Sequence, residues 1–352
     1  MLITILSFVL VAGIIITIHE FGHFIAARLT GMRVKKFSIG FPPRIFTRQI
    51  GETEFSLSWI PLGGFVQIAG MVDESMDEEG ITGAPDEFMS KNPVQKIFVL
   101  SAGVLMNYLT AIVILFGLTL AVGMPETDKA IIGETIKDKP AQIAGLQAGD
   151  VITQIDGQSV ELWEDVVKYI TMTGDTVRLT VNREGTPLLF AVPTESIAAG
   201  DSTRKVIGIA PKVEYRPASF SEAVTGGFLF CYRTTANLGG FIGDLVTGSG
   251  SLSQLSGPVG VAQLSGESAR QGVGEFLFFI AFVSVSIGFL NILPFPVLDG
   301  GHIVVVLIEA IIQRPISTRV KLAIQQTGMA LLLLLIVVVS YHDIIKLFGG
   351  QG

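Results

Sequence analysis

The first apolar stretch of the chain, residues 2–27, is long enough to cross a lipid bilayer as a helix, and it carries His19, Glu20 and His23. This pairing constrains the fold more than anything else in the sequence. Lipid does not solvate ionisable side chains, so such residues within a span face a protein interior or a water-filled cavity and mark a functional position. The stretch lacks a basic start, and its apolar run is longer than that of a secretion signal, so it reads as a retained span.

Three further uncharged stretches qualify as spans, at residues 97–122, 276–298 and 322–341. The run 303–312 carries Glu309 and is too short to cross, so it reads as an interfacial or internally packed helix. Only 16% of the 352 residues are charged, against about 25% in average soluble chains. The net charge is −7 with no basic stripe, which excludes a nucleic-acid partner and leaves membrane lipid as the surroundings. Cys231 is the single cysteine and there are four histidines, so a metal site must draw on imidazoles and carboxylates.

The fold expected is an α-helical integral membrane protein with about four transmembrane helices, a membrane-associated β element and one inserted α+β domain. The first span, 1–29, leads into a β element at 33–71 and an acidic cytoplasmic loop at 72–94. The second span, 95–123, is followed by the insertion at 125–215 and an amphipathic juxtamembrane region at 217–272. The third span, 273–298, a connection at 299–320 and a fourth span at 321–348 complete the order. Within 33–71, period-two alternation around Gly and Pro predicts a hairpin or small sheet, lying in the cytoplasm or dipping into the bilayer. Residues 73–87 read as a solvated loop. The insertion has β-rich runs and one amphipathic helix at 162–171, and about 90 residues suffice for a small core. Phe220, Val224, Phe228, Cys231, Leu238, Ile242 and Leu245 recur at helical spacing, as on an interfacial helix or one packed on the insertion.

Basic residues orient the chain. Arg28, Arg33, Lys35 and Lys36 follow the first span, and Arg314, Arg319 and Lys321 separate the last two, which places both connections in the cytoplasm. Both termini and the insertion then lie on the outer side. At 1.5 Å per residue His19 sits about 12 Å from the cytoplasmic end of its span.

His19-Glu20-Phe21-Gly22-His23 is also H-E-x-x-H, the zinc-peptidase pattern. Residues four apart share a helix face, so the two imidazoles can hold one ion while Glu20, on the same arc, acts on the attacking water as general base and then general acid. Catalytic zinc takes a third protein ligand and keeps one open position. Asp299 suits this role, following Pro294 and Pro296 in Asn291-Ile-Leu-Pro-Phe-Pro-Val-Leu-Asp-Gly-Gly, because broken backbone at membrane depth lines cavities. The alternative is a cap on the next helix. His302 lies just past the third span and His342 at the outer end of the fourth.

HEFGHFIAAR at 19–28, FSIGFPPRIF at 37–46, PLGGFVQIAGM at 61–71 and NILPFPVLDGGH at 291–302 occur in that order, and together they resemble the site-2 protease family of intramembrane zinc metalloproteases, especially bacterial regulator-of-sigma-E proteases. The resemblance implies Zn2+ held by His19, His23 and Asp299, with Glu20 catalytic and Asn291 positioning substrate. It implies that 34–71 is a membrane-reentrant β element that pairs with an unwound substrate, with Gly63, Gly64, Phe65 and Val66 as substrate-binding positions. Residues 144–157 resemble a PDZ domain, a peptide binder by strand addition or a size filter on the outer face; there is room for one such domain, not the two of regulator-of-sigma-E proteases. The implied partners are single-span membrane proteins already trimmed by another protease, such as anti-sigma factors or signal-peptide remnants, in a bacterial inner membrane. A zinc transporter or metal-sensing scaffold with a PDZ domain is the competing reading. Against it, one ionisable cluster lies at membrane depth and no second site continues a path across.

Overall fold

The computed structural model describes residues 1–71, 82–126, 129–199, 202–251 and 255–348. The chain begins with α1 (Leu2–Leu29), β1 (Val34–Ile50), β2 (Thr53–Ile68) and α2 (Pro93–Val122). Next come β3 (Met124–Glu126), β4 (Ile132–Thr135), α3 (Pro140–Ile143), β5 (Val151–Ile155), β6 (Gln158–Ser159) and α4 (Trp163–Met172). They are followed by β7 (Thr176–Arg183), β8 (Thr186–Pro193), β9 (Glu195–Ala199), β10 (Ser202–Val206), β11 (Ile209–Pro211) and β12 (Glu214–Arg216). Five helices close the chain: α5 (Phe220–Thr247), α6 (Pro258–Gln271), α7 (Val273–Ile292), α8 (Asp299–Ile312) and α9 (Thr318–Phe348). Contacts divide it into two units, Met1–Leu118 with Phe220–Gly352, and Thr119–Ser219.

In the helical unit, α1, α2, α7 and the Thr318–Ile345 part of α9 are long and apolar enough to span a bilayer. The buried positions of α1 include Ser7, Val11, Ile15, His19, His23 and Ala27, a row of successive four-residue steps down one side of the helix. Leu2, Leu6 and Leu10 on other faces stay exposed. A helix apolar all round with one buried row is what a span at the edge of a bundle requires. Val11 and Ile15 pack on Phe279 and Ile280 of α7, and Ala26 and Ala27 on Val99, Leu100 and Ala102 of α2.

The third span is shorter than expected. Helix α7 ends at Ile292 rather than near residue 298. Pro294 and Pro296 carry no N–H to continue the ladder, and each disfavours helical geometry in the residue before it. Helix α8 is the short element expected after it. Helix α5 forms where the helical spacing places it. Ala223, Gly227, Cys231 and Thr234 are buried, while Phe228 is exposed. Small residues allow close backbone approach, and Cys231 packs with Ala111, Leu115, Ala281 and Val285.

Strands β1 and β2 are antiparallel but fold over one another. Lys36 pairs with Glu54 and Ile39 with Leu57 on one side, while Lys36 pairs with Gln67 and Ile39 with Gly64 on the other. Residues 36–39 are therefore central, and residues 64–67 form an outer edge. The distal ribbon is apolar and exposed at Ile45, Phe46, Ile50 and Trp59. Of the acidic run expected to be solvated, residues 72–81 lie outside the described residues, and its last member is not solvated at all. Glu87 is fully buried, and its carboxylate accepts hydrogen bonds from Thr82 N, Thr82 Oγ1 and Gly83 N. These donors, the Thr82 hydroxyl foremost, hold its carboxyl below the usual range and make the burial tolerable.

The inserted unit contains a four-stranded antiparallel sheet in the order β6-β5-β7-β8. Val177, Leu179 and Val181 alternate inward on β7 and meet Ile152 and Ile155 of β5 with Val166 and Ile170 of α4. The helix expected at 162–171 is α4, one residue later at each end. The Gly-Leu-Gln-Ala-Gly-Asp turn is clasped by Asp150, which accepts from Arg183 Nε at 2.7 Å, Arg183 Nη2 at 2.8 Å and Gln147 N at 2.9 Å. Burial opposes ionisation of Asp150, but these donors outweigh it and its carboxyl lies below the ordinary range. A depressed folded-state value means that the stabilisation is present above about pH 4 and is lost as pH falls through that value. Asp150→Asn is expected to cost about 2 kcal/mol, measured in the full-length protein as faster amide hydrogen exchange in β5 and β7.

Candidate active site

The two histidines of α1 point into the bundle because they occupy the buried row of that helix. His23 Nδ1 lies 2.8 Å from the Val99 carbonyl oxygen. A carbonyl only accepts, so Nδ1 carries a proton and Nε2 is the nitrogen left to hold a metal. The Nε2 atoms of His19 and His23 are 3.1 Å apart. Asp299 completes a triangle, with Oδ2 3.1 Å from His19 Nε2 and Oδ1 3.5 Å from His23 Nε2.

Asp299 arrives there because α7 stops early. The Pro-interrupted segment turns the chain back, and α8 begins at Asp299 itself. The helix cap is Leu298, and Asp299 is its first helical residue, so the carboxylate is spent on the histidines and not on a cap. Val297 adopts φ 85°, a left-handed conformation that costs a β-branched residue about 1–3 kcal/mol. Gly300 and Gly301 follow because a Cβ at either would lie 2.2 Å from a backbone oxygen, that of Ile292 or of Phe295. The Asp-Gly-Gly sequence thus joins a ligand-bearing residue to two that let α8 tuck against the end of α7.

Helix α2 forms the wall behind the imidazoles through Val99, Gly103 and Asn107, again four residues apart. A Cβ at Gly103 would lie 2.5 Å from His23 Nε2 and 2.8 Å from His19 Nδ1. Gly22 mirrors it, since a Cβ there would lie 2.4 Å from the Ala102 oxygen. The sequence shows both glycines, but the reading of the motifs gave neither a role. Their signal, a small residue inside each span, becomes meaningful only once the two helices are known to be neighbours. Asn107 is fully buried, with Nδ2 3.4 Å from His19 Nδ1. Asn291 of α7 lies on the opposite side, its Nδ2 3.3 Å from His19 Nε2.

A cavity of about 520 Å³ opens onto these groups. It is lined by His19, Glu20, His23, Asn291 and Asp299, and on one side by Gly63, Gly64, Phe65 and Val66 of the outer β2 edge. A Cβ at Gly64 would lie 3.6 Å from Glu20 Cγ, so the edge strand passes directly beside that carboxylate. His302 lines the cavity without joining the triangle. His342 sits elsewhere on α9, with Nδ1 2.9 Å from the Val338 oxygen.

The donor set suits zinc. Bonds of 2.0–2.2 Å in tetrahedral geometry hold ligand atoms about 3.3 Å apart, and the three separations here are 3.1, 3.1 and 3.5 Å. Two imidazole nitrogens and a carboxylate oxygen meeting at such distances need a cation or a shared proton between them, and a bound zinc ion meets that need. Three protein ligands beside an open cavity and an adjacent glutamate match catalytic zinc rather than structural zinc, which is enclosed by four.

Apolar spans, with two histidines and an aspartate that could hold one ion beside a glutamate, are the features of an intramembrane metalloprotease. The sequence pattern of peptidase family M50, the site-2 proteases, matches residues 7–335, and the chain belongs to that family. Zinc metalloprotease RasP of Bacillus licheniformis is 30% identical, with 98% of this chain and 99% of RasP covered. RasP of Oceanobacillus iheyensis is likewise 30% identical, over 98% of this chain and 99% of its own. A Clostridium perfringens protein with a provisional zinc metalloprotease name is 34% identical over 94% of this chain and 95% of its own. Among solved structures, the PDZ domain of the SdrC-like protein from Listeria innocua is similar to 26% of this chain over its whole length, at 29% identity and a TM-score of 0.22. The protein is a zinc-dependent membrane protease.

Gly103→Ala is expected to displace both imidazoles and to weaken zinc retention about 10-fold or more. Metal analysis after dialysis against a chelator checks this, with Gly117→Ala as the comparison, since Gly117 has open space around its Cα.

Proposed function

We propose that His19, His23 and Asp299 are the zinc ligands and that Glu20 is the catalytic acid–base of a protease that cleaves transmembrane segments. The observation that carries this reading is the convergence of the three ligand atoms beside Glu20 and an outer strand edge, all around one cavity. Bound zinc supplies Lewis acidity, polarising a carbonyl and making water nucleophilic at neutral pH. Glu20 takes the proton from the attacking water and returns it to the departing amide nitrogen. Asn291, bordering the same space, orients the substrate.

Residues 64–67 hold the substrate extended. A transmembrane helix keeps its amide groups in internal hydrogen bonds, and its scissile carbonyl is reachable only after it unwinds. One side of this edge pairs with residues 36–39, and the other has no strand partner among the described residues. Strand addition there satisfies the amides that unwinding exposes, with Gly63, Gly64, Phe65 and Val66 as contact positions. The exposed Ile45, Phe46 and Trp59 favour a β element that enters the bilayer, where these side chains meet lipid.

The enzyme works in a bacterial inner membrane, with the site nearer the cytoplasmic side, as Arg28, Arg33, Lys35 and Lys36 indicate. The inserted unit is a PDZ domain on the outer side, admitting substrates whose outer portion has been removed. Anti-sigma factors and signal-peptide remnants are the substrate classes this reading favours.

Glu20→Gln is expected to keep the zinc content of the wild type and to lose at least about 100-fold in cleavage of a transmembrane reporter. Undiminished cleavage overturns the assignment of Glu20. A reporter that retains a folded outer domain is expected to be cut more slowly than its trimmed form, measured by gel in proteoliposomes.

A further inference from the structure

Each imidazole of a metal-binding histidine has a second nitrogen, and what that nitrogen meets decides which one faces the metal. For His23 the partner is the Val99 carbonyl oxygen on α2. For His19 the group facing Nδ1 is the Asn107 amide, two helical steps along the same ridge. Its orientation contains a contradiction. Nδ2, a donor, lies 3.4 Å from His19 Nδ1, while Oδ1 is buried with no hydrogen-bond partner. If His19 Nε2 binds the metal, Nδ1 carries a proton, and a donor then faces a donor. The two ends of an amide have nearly the same shape, and only the hydrogen-bond network assigns them. A half-turn about the Cβ–Cγ bond brings the orphaned oxygen to the His19 N–H.

We propose that Asn107 is a positioning residue for the zinc centre, whose amide oxygen accepts from His19 Nδ1–H and keeps the Nε2 lone pair of His19 turned to the metal. The residue is built into place. It is fully buried, and its backbone oxygen accepts from Ser284 Oγ of α7 at 2.9 Å. A Cβ at Gly288 of α7 would lie 3.4 Å from Asn107 Cβ, so α7 closes over it with no room to spare. A leucine of similar size fills the same space, so packing alone does not require an amide here. Helix α2 thereby gives each histidine one acceptor, a backbone carbonyl at 99 and a side-chain oxygen at 107, separated by the glycine that lets the rings approach.

The inference rests on His19 being a zinc ligand, and the test separates the two. Zinc affinity is measured by chelator competition on the purified full-length wild type, His19→Ala, Asn107→Leu and Asn107→Asp. Asn107→Leu is expected to bind zinc about 10–100-fold more weakly. Asn107→Asp, which keeps an acceptor in the same place, is expected to stay close to wild type. In the zinc-loaded wild type, 15N NMR is expected to show His19 protonated at Nδ1, with that proton protected from exchange. If His19→Ala keeps wild-type affinity, the ligand assignment itself fails. If His19→Ala loses zinc but Asn107→Leu does not, or if Leu and Asp lose it equally, the positioning role is overturned. The NMR arm stands even where a variant does not fold, and a His19 Nδ1 that is unprotonated in the loaded protein refutes the proposal.

Discussion

Three lone-pair-bearing groups brought to one point among apolar helices are the constraint on which the rest of the structure depends. The side chains of His19, His23 and Asp299 are each at most 15% exposed. Their mutual approach requires a cation or shared protons among them, and the more so where no water reaches. The surrounding elements read as the means of meeting that condition. The buried row of α1 turns both imidazoles inward, the glycines at 22 and 103 bring α2 up behind them, and the early end of α7 returns Asp299 to the same place.

The same arrangement shapes what a substrate meets. A closed four-ligand site would leave no room, and here the fourth direction opens into a cavity bordered by a strand edge. Gly64 of that edge lies beside Glu20, where a Cβ would be 3.6 Å from its Cγ. The polar side chains and the strand edge therefore border one cavity. The strained Val297, immediately before Leu298 and Asp299, belongs to this economy of space, since the chain must reverse within a few residues to deliver the carboxylate.

Much of this was legible in the sequence because the relevant signals are local. Four apolar stretches, H-E-x-x-H at helical spacing and a Pro-broken segment before Asp299 each carry their meaning within a short window. For Asp299 the motif favours a ligand over a cap, and its oxygens lie 3.1 and 3.5 Å from the imidazoles while the cap position is Leu298. Glu87 is buried rather than solvated because Thr82 and Gly83, five and four residues before it, donate to its carboxylate in a local turn that acidity in a run does not reveal. On α5 the spacing of the apolar residues marks the helix but not its buried seam, which Ala223, Gly227 and Cys231 form.

By itself the sequence determined the composition of the site and the kind of medium around it, because ligand type, helical spacing and span length are properties of residues near one another in the chain. Only the tertiary structure decided how the parts meet. Gly103 and Asn107 look like ordinary residues of a span until α2 lies against α1, and Gly300 and Gly301 look like a flexible joint until α8 tucks against α7. Close approach between distant segments leaves no mark on either segment alone, and the demands it makes, a missing Cβ or an acceptor facing an imidazole, become visible only when both sides of the contact are in place.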